Sequence, residues 1–268
     1  MASSANTLNI KKEVRFDGSH TLLNPTFVQS TFLQIQKSNK SSISEFLSDI
    51  FLFENFMSFA SLSTIKASNI LLYDETNYQE LDNKEKLFHP IELFDGQRGA
   101  ELKTNQGYDF LFAFSQIQDI YPEIIKKWYN ATTEIAPIRK HLIQSVKSKS
   151  IFDSTDFLII IQAIEGFSNR FRKEQSLTKT LVDIINEFHD IEKVKQSNIN
   201  IKSVVDSRHY YSHFINKTKK PNTLYGSELF HLTQKLRILL VCCLLNFMGI
   251  ANQRINDLLN KSNNSKLQ

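Results

Sequence analysis

A chain of 268 residues suits one to two domains at roughly 150 residues each. Hydrophobic residues make up 41% and charged residues 22%, which allows a packed core. Only 7 Gly and 5 Pro stand against 21 Phe, which argues against collagen-like, disordered or turn-rich all-β organisation and leans toward helix.

A net charge of +4 permits a nucleic-acid partner without demanding one. Cys242 and Cys243 are adjacent in an apolar run, so neither a disulfide framework nor a Cys-x-x-Cys knuckle fits, and a reducing cytoplasm does. Met1–Asn6 lacks the basic flank and apolar stretch of a secretory signal. The longest apolar run, Leu236–Ile250, is interrupted by Arg237 and Asn246. It falls short of the ~18 apolar residues of a membrane span and reads as a core helix of a soluble, cytoplasmic protein with no membrane partner.

In chain order, Leu8–Phe16 alternates as a strand does and Asp17-Gly18 marks a turn. Thr26–Gln36 fits a second strand or a short helix. After the polar break Lys37–Ser42, a helix is predicted through Ile43, Phe46, Leu47, Ile50, Phe51, Phe53, Phe56 and Met57, capped by Ser41 or Ser42 with Glu45 in its first turn. Its Phe-rich segment reads as core, since the spacing is helical. Ile65–Tyr73 is predicted as a strand, Asp82–Lys86 as a polar segment, Asp95–Gly99 and Asn105–Gly107 as loops, and Phe110–Phe114 as a short strand. Pro122 and Pro137 each open a predicted helix.

Beyond Asp153 the helical periodicity is clearest. One helix carries Phe157, Ile160, Ile161, Ile164, Phe167 and Phe171, capped by Asp153 or Ser154. A second runs from a Ser176 cap through Leu177, Leu181, Ile184 and Phe188 to Ile191. A third pattern takes Ile201, Val204, Val205, Tyr211 and Ile215, and a fourth helix runs from Ser227 through Leu236 and Cys243 to Ile250. The residues after Leu259 read as a frayed polar tail. The predicted fold is mainly α, with a mixed α/β region over 1–115 and a helical domain over 116–268.

The third pattern contains Asp206-Ser-Arg208-His209-Tyr-Tyr-Ser-His213. Extending its apolar stripe lands on Arg208, and an inward-facing arginine needs a partner, an interface or a ligand to offset its desolvation. Guanidinium plus imidazole suits in-line RNA cleavage. The imidazole moves a proton to or from a ribose or leaving oxygen near neutral pH. The guanidinium stabilises charge building on phosphorus.

Spacing alone is weak evidence, because Arg15 and His20 repeat it beside a Gly turn. On an ideal helix, positions five apart lie about 140° apart. Arg208 and His213 therefore converge only where the helix frays or where a second copy completes the cleft. The alternative is a bundle helix with an Arg–Glu pair and a surface histidine. His209 and His213 share a helix face as two zinc ligands would, but no third ligand stands at recognisable spacing. Lys217, Lys219 and Lys220 form either a solvated loop or an RNA contact.

Arg208-His209-x3-His213, preceded by Val204-Val205-Asp206, resembles the R-x4–6-H motif of the HEPN superfamily of helical ribonucleases. Phe157–Arg170, with Gln162-Ala163-Ile164-Glu165, resembles the opening helix of the ApeA-like HEPN group of bacterial anti-phage and abortive-infection proteins. Phe110–Leu142 is similar to that group's connector.

The resemblance implies a C-terminal four-to-five-helix HEPN bundle. It also implies a dimeric, metal- and cofactor-independent endoribonuclease that cuts RNA, with tRNA among its candidates. Carried over, Arg208 and His213 are catalytic, His209 supports them as the motif's polar residue, and Glu165 orders the arginine. Lys217, Lys219 and Lys220 are then candidate RNA contacts. Non-catalytic members imply the other reading, a dimerising module that binds RNA, nucleotide or a partner protein. Residues 1–40 are short for the β-rich domain that members carry ahead of the connector.

Overall fold

The computed structural model describes residues 6–17, 26–94, 110–130, 132–147, 154–262 and 267. The chain divides into two compact units, Met1–Phe53 and Glu54–Gln268, with the division inside the first helix. The predicted Asp17-Gly18 turn, the loops at 95–99 and 105–107, His20 and Asp153 fall wholly or partly outside the described residues.

In the first unit, β1 (Asn6–Asp17) and β2 (Thr26–Lys37) form an antiparallel hairpin in unbroken register from Asn6 opposite Lys37 to Asp17 opposite Thr26. The β-branched and aromatic content of Thr26–Gln36 thus resolves as strand. Arg15 lies on β1. α1 (Ile43–Ser61) opens on a reciprocal cap. Ser42 N–H donates to the Glu45 carboxylate at 2.8 Å, and Glu45 N–H donates to Ser42 Oγ at 3.3 Å. The Ser42 bonds hold the Glu45 carboxyl below its usual range. Lys37 ties the end of β2 to α1 through Asp49, at 2.9 Å, and the Phe46 ring.

The second unit holds a hairpin and the helical bundle. β3 (Ile70–Glu80) pairs antiparallel with β4 (Lys86–Leu93), with an irregularity between Tyr73 and Tyr78. The predicted strand at 65–73 therefore starts late and runs past its expected end. Phe110–Phe114 is not a strand. Leu111 and Phe112 are buried, and their N–H groups bond to Ala60 C=O at the end of α1, so they pack as a plug rather than pair with a sheet. Phe56 and Phe59 of α1 meet Phe112 and Trp128 there, as core, whereas Phe51, at the start of the same Phe-rich segment, is exposed and is not core.

α2 (Tyr121–Asn130) carries Pro122 in its first turn, as expected. α3 (Thr132–Lys147) starts ahead of Pro137 instead of at it. Ile135 is buried with Ile138 and Leu142, and that stripe holds a turn before the proline despite the lost N–H.

α4 (Ser154–Phe171) packs on α3, α7 and α8. α5 (Leu177–Glu187) ends before Phe188, and a separate short α6 (Glu192–Ser197) follows. The predicted single helix to Ile191 is broken there, although Phe188 and Ile191 remain fully buried. α7 (Ile201–His213) and α8 (Gly226–Phe247) follow their patterns but stop short of the expected ends, leaving Ile215 outside α7 and Ile250 buried beyond the end of α8.

α8 is the central rod. Cys242 and Cys243 are wholly buried on it, and burial pushes the Cys243 thiol up to about 12, so both act as small apolar filler. The polar tail expected after Leu259 lies largely outside the described residues, and its first two residues, Asn260 and Lys261, are helical. α9 (Asn252–Lys261) is helical, Arg254 grips Asp119 with two bonds of 2.6 and 2.8 Å, and Leu267 is buried. The architecture is mainly α with a smaller mixed N-terminal region, as predicted. Among the described residues no helix is long and apolar enough to cross a membrane.

Candidate functional site

The site is built on α7. Its first turn is capped by Asn200, whose side-chain oxygen accepts from Ser203 N–H at 3.2 Å. Val204 and Ser207 are buried, and Ser207 Oγ accepts from Leu224 N–H at 3.0 Å. Tyr211 donates its hydroxyl to Leu224 C=O at 3.0 Å and sets its ring edge-on to Phe157 of α4. These contacts fix the helix to the bundle on one side and leave Arg208 and His209 half-buried on its flank.

Arg208 is the hub. Its Nη2 lies 3.5 Å from Glu165 Oε2 on α4, with both side chains 26% exposed. Its Nη1 lies 2.5 Å from His213 Nε2. The pair meets within one chain and without fraying, because His213 is the last helical residue and the guanidinium is long enough to reach it. Ideal-helix angles describe Cβ directions and omit that reach. Arg208 sits at the rim of the bundle rather than on its inward face, and Glu165 offsets part of its desolvation.

A guanidinium only donates, so in a hydrogen bond between these two atoms His213 Nε2 is the acceptor. Ser212 Oγ donates to Arg208 C=O at 2.6 Å, a back-bond of the kind that loosens the end of a helix.

His209 stands next to this pair, its ring centroid 5.9 Å from that of His213. Its Nδ1 is buried, with no partner among the described residues. Burial first, then the positive charges of Lys220 and Arg208 and the neighbouring His213, pull its imidazole below the ordinary value against an opposing pull from Asp206. His209 is therefore held neutral. Among the described residues no cluster of three His, Cys, Asp or Glu side chains could hold a metal ion.

The three lysines follow α7 in a short turn. Lys220 Nζ is 3.5 Å from Asp206 Oδ1, Lys217 Nζ stands 4.4 Å above the Tyr225 ring, and Lys219 is exposed. Two of them are thus engaged inside the chain.

Asp206 received no role from the sequence, yet it ties this turn to α7. Asn222 donates to it through its backbone N–H at 3.2 Å and its side chain at 2.8 Å. Burial pulls the Asp206 carboxyl upward, but these bonds and Lys220 outweigh it and hold it below the usual range. The available signal was an acid two residues before the arginine and a proline turn, Pro221, that brings the chain back. Phe214 belongs to no motif in the sequence. It terminates α7 in the left-handed conformation at φ 53°, with its ring 88% exposed.

Residues 158–254, which include Glu165, Arg208 and His213, match the Apea-like HEPN family model. Residues 5–128 match ApeA N-terminal domain 1, so the N-terminal likeness takes in both hairpins, α1 and most of α2 rather than the first forty residues alone. No curated protein and no solved structure matches the chain. The HEPN fold is generally that of a ribonuclease, and its domains typically dimerise and act on RNA. An ApeA N-terminal domain match ahead of an Apea-like HEPN match makes the chain similar to ApeA-like HEPN proteins over both segments, a likeness that points to function of the anti-phage type.

Proposed function

We propose that this protein is an endoribonuclease of anti-phage defence that cleaves RNA, tRNA among its candidates, by attack of the ribose 2′-hydroxyl. The observation that carries this reading is the Arg208 guanidinium lying against both the Glu165 carboxylate and His213 Nε2. His213 takes the 2′-hydroxyl proton on Nε2 once substrate displaces Arg208 from that atom. The 2′-oxygen bonds to phosphorus, the bond from phosphorus to the 5′-oxygen breaks, and the 5′-oxygen leaves with a proton. The products are a 2′,3′-cyclic phosphate and a 5′-hydroxyl.

A homodimer supplies the second proton carrier. The partner subunit's His213, as imidazolium, protonates the leaving oxygen across a shared cleft. Arg208 stabilises charge developing on the phosphoryl oxygens, and its fork lets it do so without leaving Glu165. His209, held neutral, adds no charge beside His213 and serves as support. Lys219 is the lysine of the turn best placed to meet the RNA backbone, since Lys217 and Lys220 have partners in the chain.

The test is cleavage of bulk tRNA and an unstructured RNA by wild type, Arg208→Ala and His213→Ala. Each substitution is expected to lower the rate by about 100- to 10,000-fold, the range for a lost general acid–base or oxyanion donor. RNA bound without turnover by the wild type would establish the non-catalytic module instead. Cleavage by both variants at the wild-type rate would remove these residues from the site.

A further inference from the structure

α7 stops at His213, and Phe214 carries the chain out of the helix at φ 53°, ψ 32°. That left-handed position usually belongs to Gly or Asn, because a Cβ crowds the backbone there. A phenylalanine there is unfavourable twice over. Its backbone is strained, and its ring, 88% exposed, has no ring partner among the described residues. The aromatic rings nearest in sequence are otherwise occupied: Tyr210, Tyr211 and Tyr225 pack edge-on with one another.

The strained, exposed ring is the residue immediately after His213, and the next turn carries the exposed Lys219. An exposed aromatic ring one residue after His213 and five before an exposed lysine has the ingredients that hold single-stranded nucleic acid, a π-face and a cation, on which bases stack without sequence preference. A base in duplex is already stacked and offers no face to such a ring.

We propose that Phe214 is a positioning residue that stacks on an unpaired base beside the scissile phosphate, so that the substrate is single-stranded or looped RNA. This deepens the ribonuclease reading and rests on it for the location of the phosphate.

The probe is an unstructured 2′-O-methyl oligoribonucleotide, which lacks the attacking hydroxyl, used single-stranded and in duplex with full-length protein. Phe214→Trp places an indole at the site. Its emission is expected to be quenched by the single strand and unaffected by the duplex, against the constant signal of buried Trp128. Phe214→Leu keeps the strained backbone and the apolar character but loses the π-face, and is expected to bind the single strand about 5- to 100-fold more weakly, as loss of one stacked base predicts. Phe214→Trp is expected to bind as wild type does.

Equal binding by Phe214→Leu, or quenching by duplex and single strand alike, overturns the proposal. Loss of the dimer in Phe214→Leu by light scattering, with oligonucleotide binding per chain unchanged, would instead assign the ring to a contact between copies. The two readings separate cleanly: quenching by a single strand in a protein that never cuts RNA removes the ribonuclease, whereas cutting without quenching removes only the stacking role.

Discussion

Arg208 has to be an arginine. One planar fork spans Glu165 at 3.5 Å and His213 at 2.5 Å, whereas an ammonium is a point charge that cannot hold both directions at once. Arg208→Lys is therefore expected to lose about 100-fold in cleavage despite keeping the charge, measured as single-turnover rate. Glu165→Gln removes a half-exposed ion pair and should cost about fivefold or less, with the pH profile unchanged. His209 supplies a stability test. Its folded value lies below the ordinary 6.5, so as pH falls through that value the unfolded chain takes up its proton first. Stability contributed above that value is lost toward lower pH. Thermal midpoints should fall less between pH 7 and 5 in His209→Gln than in wild type, and parallel curves would contradict the assignment. The Arg208–His213 pair was legible as a motif in the sequence. Its convergence was not, because helical angles carry no information on how far a guanidinium extends.

At the scale of elements, helices with a wide apolar stripe were readable, and those whose folding depends on distant partners were not. α4, α7 and α8 followed their periodicity closely. α9 escaped notice because NQRINDLLNK offers only Ile255, Leu258 and Leu259 to the core, and its docking relies on Arg254 reaching Asp119. β4 was hidden for another reason. Lys86–Leu93 contains Pro90, shows no alternation and is exposed on both faces, as an edge strand of a two-stranded sheet tolerates. Phe110–Phe114 has strand composition, but its backbone donors were taken by Ala60. The end of α7 yields a prediction of its own. Phe214→Asn replaces a residue poorly suited to φ 53° with one that tolerates it. Thermal unfolding should show a gain of about 1 kcal/mol while RNA binding weakens. A loss of stability would mean that the ring is packed rather than free.

Across the whole molecule, the bundle is tied through a buried polar knot. Arg237 of α8, 2% exposed, bonds to Asp156 of α4 at 2.8 Å, to Ser145 of α3 at 2.8 Å and to Gln234. Burial pulls the guanidinium down from its usual value and Asp156 pulls it back. Read as sequence, Arg237 only interrupted an apolar run; the structure makes it the bond between three helices. Asp156→Ala leaves that charge buried without its acid and is expected to cost about 3–5 kcal/mol in denaturant unfolding. This knot carries the platform on which α7 presents its pair, so the mainly α architecture and the site depend on the same core.

The chemistry of the cut ends tests the central claim most directly. RNA fragments released by the wild-type protein are incubated with polynucleotide kinase and labelled ATP, without prior phosphatase. Attack by the 2′-hydroxyl leaves 5′-hydroxyl ends, so the fragments should accept label at once and His213→Ala should yield almost none. Fragments that label only after phosphatase treatment, or an equal yield from His213→Ala, would contradict it.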